Sequence, residues 1–207
     1  MALPDVGLAT AEGRLLKLLR NEWELYDGVD VPTDSQLSLF DILLSIMMNS
    51  RLDTADKVRS IWNGKADVEQ ALGRVPAGVA LSDEVIPWDA LRELFVAFCS
   101  IRWAGPAVAT KILHKKRPAL IPILDSVIVD HLHPYLPPEL QRGQPDPVYM
   151  VEKLKLFREM LLEHRHRVEQ LSECCAAQGY PITPVRVLEI LLWTQWEPRG
   201  YYRQNAD

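Results

Sequence analysis

A basic stretch, a proline-held connection and one carboxylate follow one another in the middle of the chain. Between Leu94 and Leu124 there is no acidic residue, while Arg102, Lys111, Lys115, Lys116 and Arg117 supply five positive charges. Pro118 and Pro122 bias the residues before them toward extended backbone, so 119–124 is predicted to be a strap and not a helix. The strap leads to Asp125, followed by the apolar Ser126-Val-Ile-Val129, which is predicted to be a short helix. Upstream, Gly105 marks a tight turn and Pro106 a helix start. Backbone N–H groups at such a start, with lysines beside them, can hold a phosphate. A carboxylate fixed nearby can oppose positive charge developing on a sugar, which is how glycoside cleavage is commonly assisted. Each feature also has a plainer reading. Lys and Arg complement the dipole of a helix C-terminus, and Asp is a preferred helix N-cap, worth about 1 kcal/mol.

The elements that must position these residues are helical. Leu15, Leu16, Leu19, Trp23 and Tyr26 recur at helical spacing after a Thr10 cap, and Leu37, Phe40, Leu43, Leu44 and Met47 do so after Asp34 or Ser35. A third helix is expected from Asp53 to Trp62, stopped by Gly64, with a weaker fourth over Lys65 to Leu72. Pro87 opens a helix with Trp88, Leu91, Leu94, Phe95 and Phe98 on one face, and the Pro106 helix is expected to end near His114. Pro134 to Pro147 is a proline-rich loop. Asp146-Pro147 restarts a helix with Val148, Val151, Leu154, Phe157, Leu161 and Leu162 on one face, another runs to Gly179, and Thr183-Pro184 caps a last one through Trp193. The fold class is therefore all-α, about nine helices, with 198–207 a loose tail.

Composition narrows the functions. With 207 residues, 48% apolar and 25% charged, the chain suits one unit or two small lobes and excludes a disordered or collagen-like polymer. A net charge of −5 argues against a protein that coats nucleic acid non-specifically, and the central basic stretch leaves −10 for the remainder. Cys99 stands alone and Cys174 and Cys175 are adjacent, a pattern without zinc or iron–sulfur spacing that fits free thiols in a reducing cytoplasm. The longest mostly apolar stretch, Leu94 to Ile101, is far shorter than the roughly 18 residues of a membrane span. His131 with His133, and His164 with His166, lie two apart, a spacing that points the rings in different directions on a helix, so no metal site is expected.

From Ile101-Arg-Trp-Ala-Gly-Pro-Ala-Val-Ala-Thr-Lys to Pro122-Ile-Leu-Asp125, the order resembles the helix-hairpin-helix DNA glycosylase superfamily (HhH-GPD), which includes endonuclease III and the adenine glycosylases. Its hairpin reads Leu-Pro-Gly-Val-Gly-x-Lys-Thr-Ala, and a proline-containing strap leads to an Asp. In a gapless register Trp103-Ala104-Gly105 falls on Gly-Val-Gly, Ala107 on the lyase lysine, Ala109 on the alanine and Asp125 on the catalytic aspartate. Phe40 to Arg51, with Ala55 to Val58 after it, is similar to the early helix and the turn that carries a DNA-wedging glutamine. The similarity spans roughly Leu37 to His131.

The resemblance implies one HhH-GPD-like unit over 1–207 with a cleft between two lobes, 35–118 containing the hairpin and 1–34 with 119–197 forming the second. It implies a monofunctional glycosylase of base excision repair that flips a nucleotide from duplex DNA and hydrolyses the N-glycosidic bond, with Asp125 as the catalytic carboxylate. Trp103, Gly105, Lys111, Lys115, Lys116, Arg117, Asn49 and Arg51 would face nucleic acid. Ala107 cannot form a Schiff base, so lyase chemistry is not expected, and no cofactor is implied because no cluster cysteines follow. Trp103 departs from the hairpin pattern: a bulky side chain opposes the positive φ and close phosphate approach that glycine permits. It could stack on a base or pack between lobes. The alternative is a non-catalytic binding or interaction protein on the same scaffold.

Overall fold

Apolar periodicity closes into helices over most of the chain. The computed structural model describes residues 8–138 and 147–195, so the expectations for the tail and for Asp146 lie outside the described residues. The helices are α1 (Leu8–Glu22), α2 (Leu39–Met47), α3 (Ala55–Leu72), α4 (Trp88–Cys99), α5 (Pro106–Lys116), α6 (Ser126–Leu132), α7 (Pro147–Glu163), α8 (Arg165–Ala177) and α9 (Pro184–Gln195). Short 3-10 turns follow α1 and α6. Among the described residues there is no strand, and no helix is long and apolar enough to cross a membrane.

The main packing contacts fall into two sets. Helices α2 to α5 pack on one another; α1 and α6 to α9 do likewise, and α4 against α7 joins them. One apolar core runs through both sets, from Leu15 and Leu19 through Phe95 and Phe98 to Phe157 and Leu188, all fully buried. Each such side chain contributes about 1.5–3 kcal/mol by leaving water. A small satellite of Tyr26, Val31, Leu44 and Ile123 sits apart from that core, and it ties the strap to α2 and the end of the first helical segment.

Three local expectations are corrected. Helix α1 already begins at Leu8, so Thr10 is inside it and not its cap. Helix α2 starts at Leu39 and not after Asp34 or Ser35: Ser38 caps it, its hydroxyl accepting from Asp41 N–H while Asp41 accepts from Ser38 N–H. That reciprocal box turns the helix so that Asp41, Ile42, Leu44 and Ser45 face inward, leaving Phe40, Leu43 and Met47 about half exposed. Gly64 does not stop α3, which continues to Leu72 and absorbs the weak fourth helix. A Cβ there would lie 2.9 Å from Ile101 Cγ1, so the glycine serves the close approach of α3 to the end of α4.

Candidate functional site

The turn between α4 and α5 is built from Ser100 to Gly105. Trp103 has φ +72, in the left-handed region that L side chains rarely adopt. A bulky side chain opposes this conformation, yet the tryptophan adopts it. Ser60 and Lys57 hold the turn from outside, the Ser60 hydroxyl donating to Arg102 O (3.0 Å) and the Lys57 ammonium lying 5.6 Å from the half-exposed indole, while within the turn the Arg102 guanidinium lies 4.6 Å from the same ring. These contacts offset backbone strain of about 1–3 kcal/mol. Gly105 follows with extended backbone, exposed, and no side chain caps α5, which begins at Pro106.

The loop after α2 holds two further left-handed residues, Asn49 and Arg51, each with φ +56. Both are exposed. The ammonium of Lys111 donates to Asn49 O (3.3 Å) and that of Lys57 to Arg51 O (3.1 Å). Lys57 thus joins this loop to the Trp103 turn, and Lys111 joins it to α5. All three left-handed, non-glycine residues of the described chain lie in these two adjoining segments.

The strap is extended only from Ile121 on: 118–120 close into a turn in which Leu120 and Ile121 N–H both donate to Arg117 O, which corrects the expectation of extended backbone from 119, and the polar backbone groups beyond it are claimed in turn by buried side chains. The His114 ring nitrogen Nδ1 meets Ile121 O at 2.7 Å. Ile123 N–H donates to Glu189 Oε2 (2.9 Å) and Leu124 N–H to Thr110 Oγ1 (3.1 Å). Ile121 to Leu124 are all buried. At the end of this path Asp125 caps α6, its Oδ1 accepting from Ile128 N–H (3.1 Å), and the residue is half-buried. Cap and candidate catalytic group are the same residue. Burial pushes the Lys111 ammonium below its ordinary range, and the nearby Asp125 carboxylate pulls it back up.

The remaining basic residues do not face outward. Lys116, 1% exposed, donates to Pro32 O (3.0 Å) and is paired with Asp41 (3.1 Å) and Asp34 (3.4 Å). Arg117, 3% exposed, donates to Val75 O, Thr33 O and Leu72 O. Lys115 donates to Tyr26 O and Asp27 O, beside the Tyr26 ring. The expectation that Lys111, which is 6% exposed, Lys116 and Arg117 contact nucleic acid is therefore corrected. Lys116 and Arg117 are enclosed, and their protons are spent on carbonyls of the 32–34 and 72–75 segments.

Sequence reasoning missed a buried ionic cluster behind the strap. Arg186 pairs with Asp27 through two 2.8 Å bonds and with Glu189 through a further close contact. Burial pushes the Glu189 carboxyl up to about 7 against the pull of Arg186. Burial would raise Asp27 too, but the Arg186 charge and hydrogen bonds outweigh it and hold Asp27 below the usual carboxylate range. Burial drives His114 down to about 4, helped by the Arg186 charge, so its ring is neutral. The only sequence signal of the cluster is the pair Arg186 and Glu189, three apart on the otherwise largely apolar α9.

Among the described residues no group of three metal-ligating side chains comes together, and no disulfide joins Cys99, Cys174 and Cys175. An open, mostly apolar groove of about 540 Å³ lies between α2 and α3, lined by Leu39, Leu43, Leu52, Val58 and Trp62; neither Asp125 nor Trp103 lines it. No curated protein and no solved structure matches the chain. A family profile matches residues 17–196, nearly the whole length: the chain belongs to DUF6308, a family of unknown function.

Proposed function

We propose that this protein is a glycosylase-like nucleic-acid-binding protein of helix-hairpin-helix type. In this reading it acts as a monofunctional hydrolase of an N-glycosidic bond in DNA, with a cleft between two helical lobes. The observation that carries the reading is the φ of +72 at Trp103. The register that aligns Asp125 with the catalytic aspartate of the HhH-GPD proteins also puts a hairpin glycine at this position. A left-handed backbone is what that glycine would supply, and here it persists although the residue is tryptophan. In this reading Asp125 stabilises an oxocarbenium-like sugar or activates water. Exposed Arg51, Arg102 and Asn49, with the N–H groups at the start of α5, hold the backbone phosphates. Ala107, half-buried on α5, supplies no amine for a lyase step.

A second reading, a binding or interaction protein without catalysis, is favoured by the enclosure of Lys116 and Arg117, which leaves little positive surface around the hairpin. Abasic-site formation on a panel of duplexes carrying altered bases separates the two. Release of one base supports the hydrolase. Salt-dependent binding without release from any substrate leaves the binding protein, and neither binding nor release overturns both nucleic-acid readings.

A further inference from the structure

An extended segment buried on both sides has no ladder to fix its register, so each backbone N–H and C=O must find a side-chain partner or stay unpaired. The strap meets this demand unevenly. Ile121 is anchored through its carbonyl to His114 on α5. The two residues immediately before Asp125 are anchored through their N–H groups, Ile123 to Glu189 on α9 and Leu124 to Thr110 on α5. Thr110 can accept there because its own proton is used on Pro106 O, one turn back (3.0 Å). Glu189 is oriented by Arg186, which is held by Asp27. The carboxylate is thus approached from two helices that otherwise do not contact Asp125 by hydrogen bond. Slippage by one residue would exchange the buried and solvent-facing sides of Leu124 and Asp125.

We infer that Glu189 and Thr110 are positioning residues: by holding the Ile123 and Leu124 amides they set where the Asp125 carboxylate stands relative to Lys111 and the Trp103 turn. Their relevance to base release rests on the function proposed above; the placement itself does not. Neither side chain touches a substrate. Both are buried behind the strap, and their effect passes through Asp125 alone.

The test uses the full chain with Glu189→Ala, Glu189→Gln, Thr110→Val and Thr110→Ser, each checked for cooperative unfolding. The conservative variants retain an acceptor; the others do not. The Ile128 amide, which donates to Asp125 Oδ1, reports the position of the carboxylate in a 15N-correlated NMR spectrum. The expected result is a displaced Ile128 resonance in Glu189→Ala and Thr110→Val, restored in Glu189→Gln and Thr110→Ser, with Asp130 and His131 farther along α6 unmoved. With a duplex that the native protein processes, the single-turnover rate drops about 100-fold in the first pair while the duplex Kd stays within about twofold, as expected for a misplacement near 1 Å. Folded Glu189→Ala and Thr110→Val proteins with an unshifted Ile128 amide overturn the inference. A native protein that releases no base overturns the hydrolase reading instead, and the Ile128 resonance then decides the positioning claim by itself.

Discussion

His114 and Glu189 face the same stretch of strap and titrate with opposite consequences for stability. The His114 ring is held at about 4 in the folded chain against an ordinary 6.5. Between those values the unfolded chain carries a proton that the folded one lacks, so stability rises with pH across that interval. The Glu189 carboxyl is held at about 7 against an ordinary 4.5. Between those values the folded chain carries the extra proton, so stability falls as pH rises. Each interval spans about 2.5 pH units, worth about 3 kcal/mol when fully crossed, and the two slopes oppose each other from about pH 4.5 to 6.5. Asp27, held low by Arg186, contributes stability that is lost only below this window. His114→Asn keeps a donor for Ile121 O without a titrating ring, and Glu189→Gln keeps an acceptor for Ile123 N–H without a charge. Urea unfolding at half-unit steps from pH 4 to 7.5 is the assay, read as variant minus native so that all other groups cancel. The His114→Asn difference should fall by about 3 kcal/mol from pH 4 to 6.5, and the Glu189→Gln difference should rise by about 3 kcal/mol from pH 4.5 to 7. Differences that stay flat with pH, or slopes of the reverse sign, would show that burial does not set these two protonation states.

Substitutions at Lys116, Gly64 and Trp103 probe the frame around the site. Lys116→Met strands the buried Asp41 carboxylate and should cost about 3–5 kcal/mol in urea unfolding, part of it recovered by adding Asp41→Asn. Gly64→Ala gains helix propensity but drives a methyl into Ile101 Cγ1 and Cδ1; a net loss of about 1 kcal/mol is expected, absent when the substitution is made in an Ile101→Ala background, which removes both atoms. Trp103→Gly should leave stability within about 1 kcal/mol, because relieved strain offsets the lost cation contacts, whereas the β-branched Trp103→Val should cost about 1–3 kcal/mol by thermal or urea unfolding.

What the sequence shows and what it hides follow from the range over which each feature is determined. Pro87, Pro106 and Pro122 act on their own and neighbouring φ and ψ, so the starts of α4 and α5 and the extended end of the strap are legible, whereas the turn over 118–120 is not. Asp125 as a cap is equally local. The face of α2 was misjudged because the Ser38–Asp41 box and the Lys116 ammonium make a carboxylate the inward residue, which reverses the apolar pattern. Gly64 looks like a stop signal until Ile101, distant in sequence, is brought against it. The basic stretch is visible as charge, but its burial is not. The carbonyls that receive Lys115, Lys116 and Arg117 come from segments more than 40 residues earlier, and nothing near the lysines announces them. Arg186 and Glu189 are an ordinary i,i+3 pair on α9 until the fold brings Asp27 against them from 159 residues away.

The most direct measurement compares native protein and Asp125→Asn on duplexes carrying altered bases, scoring abasic-site formation and duplex affinity in the same samples. If the carboxylate at the end of the strap assists glycosidic hydrolysis, native protein releases one base and Asp125→Asn releases none, while its affinity is equal or tighter because a negative charge beside the phosphates has been removed. Base release by Asp125→Asn at the native rate, or none by native protein on any duplex, contradicts the catalytic role of Asp125.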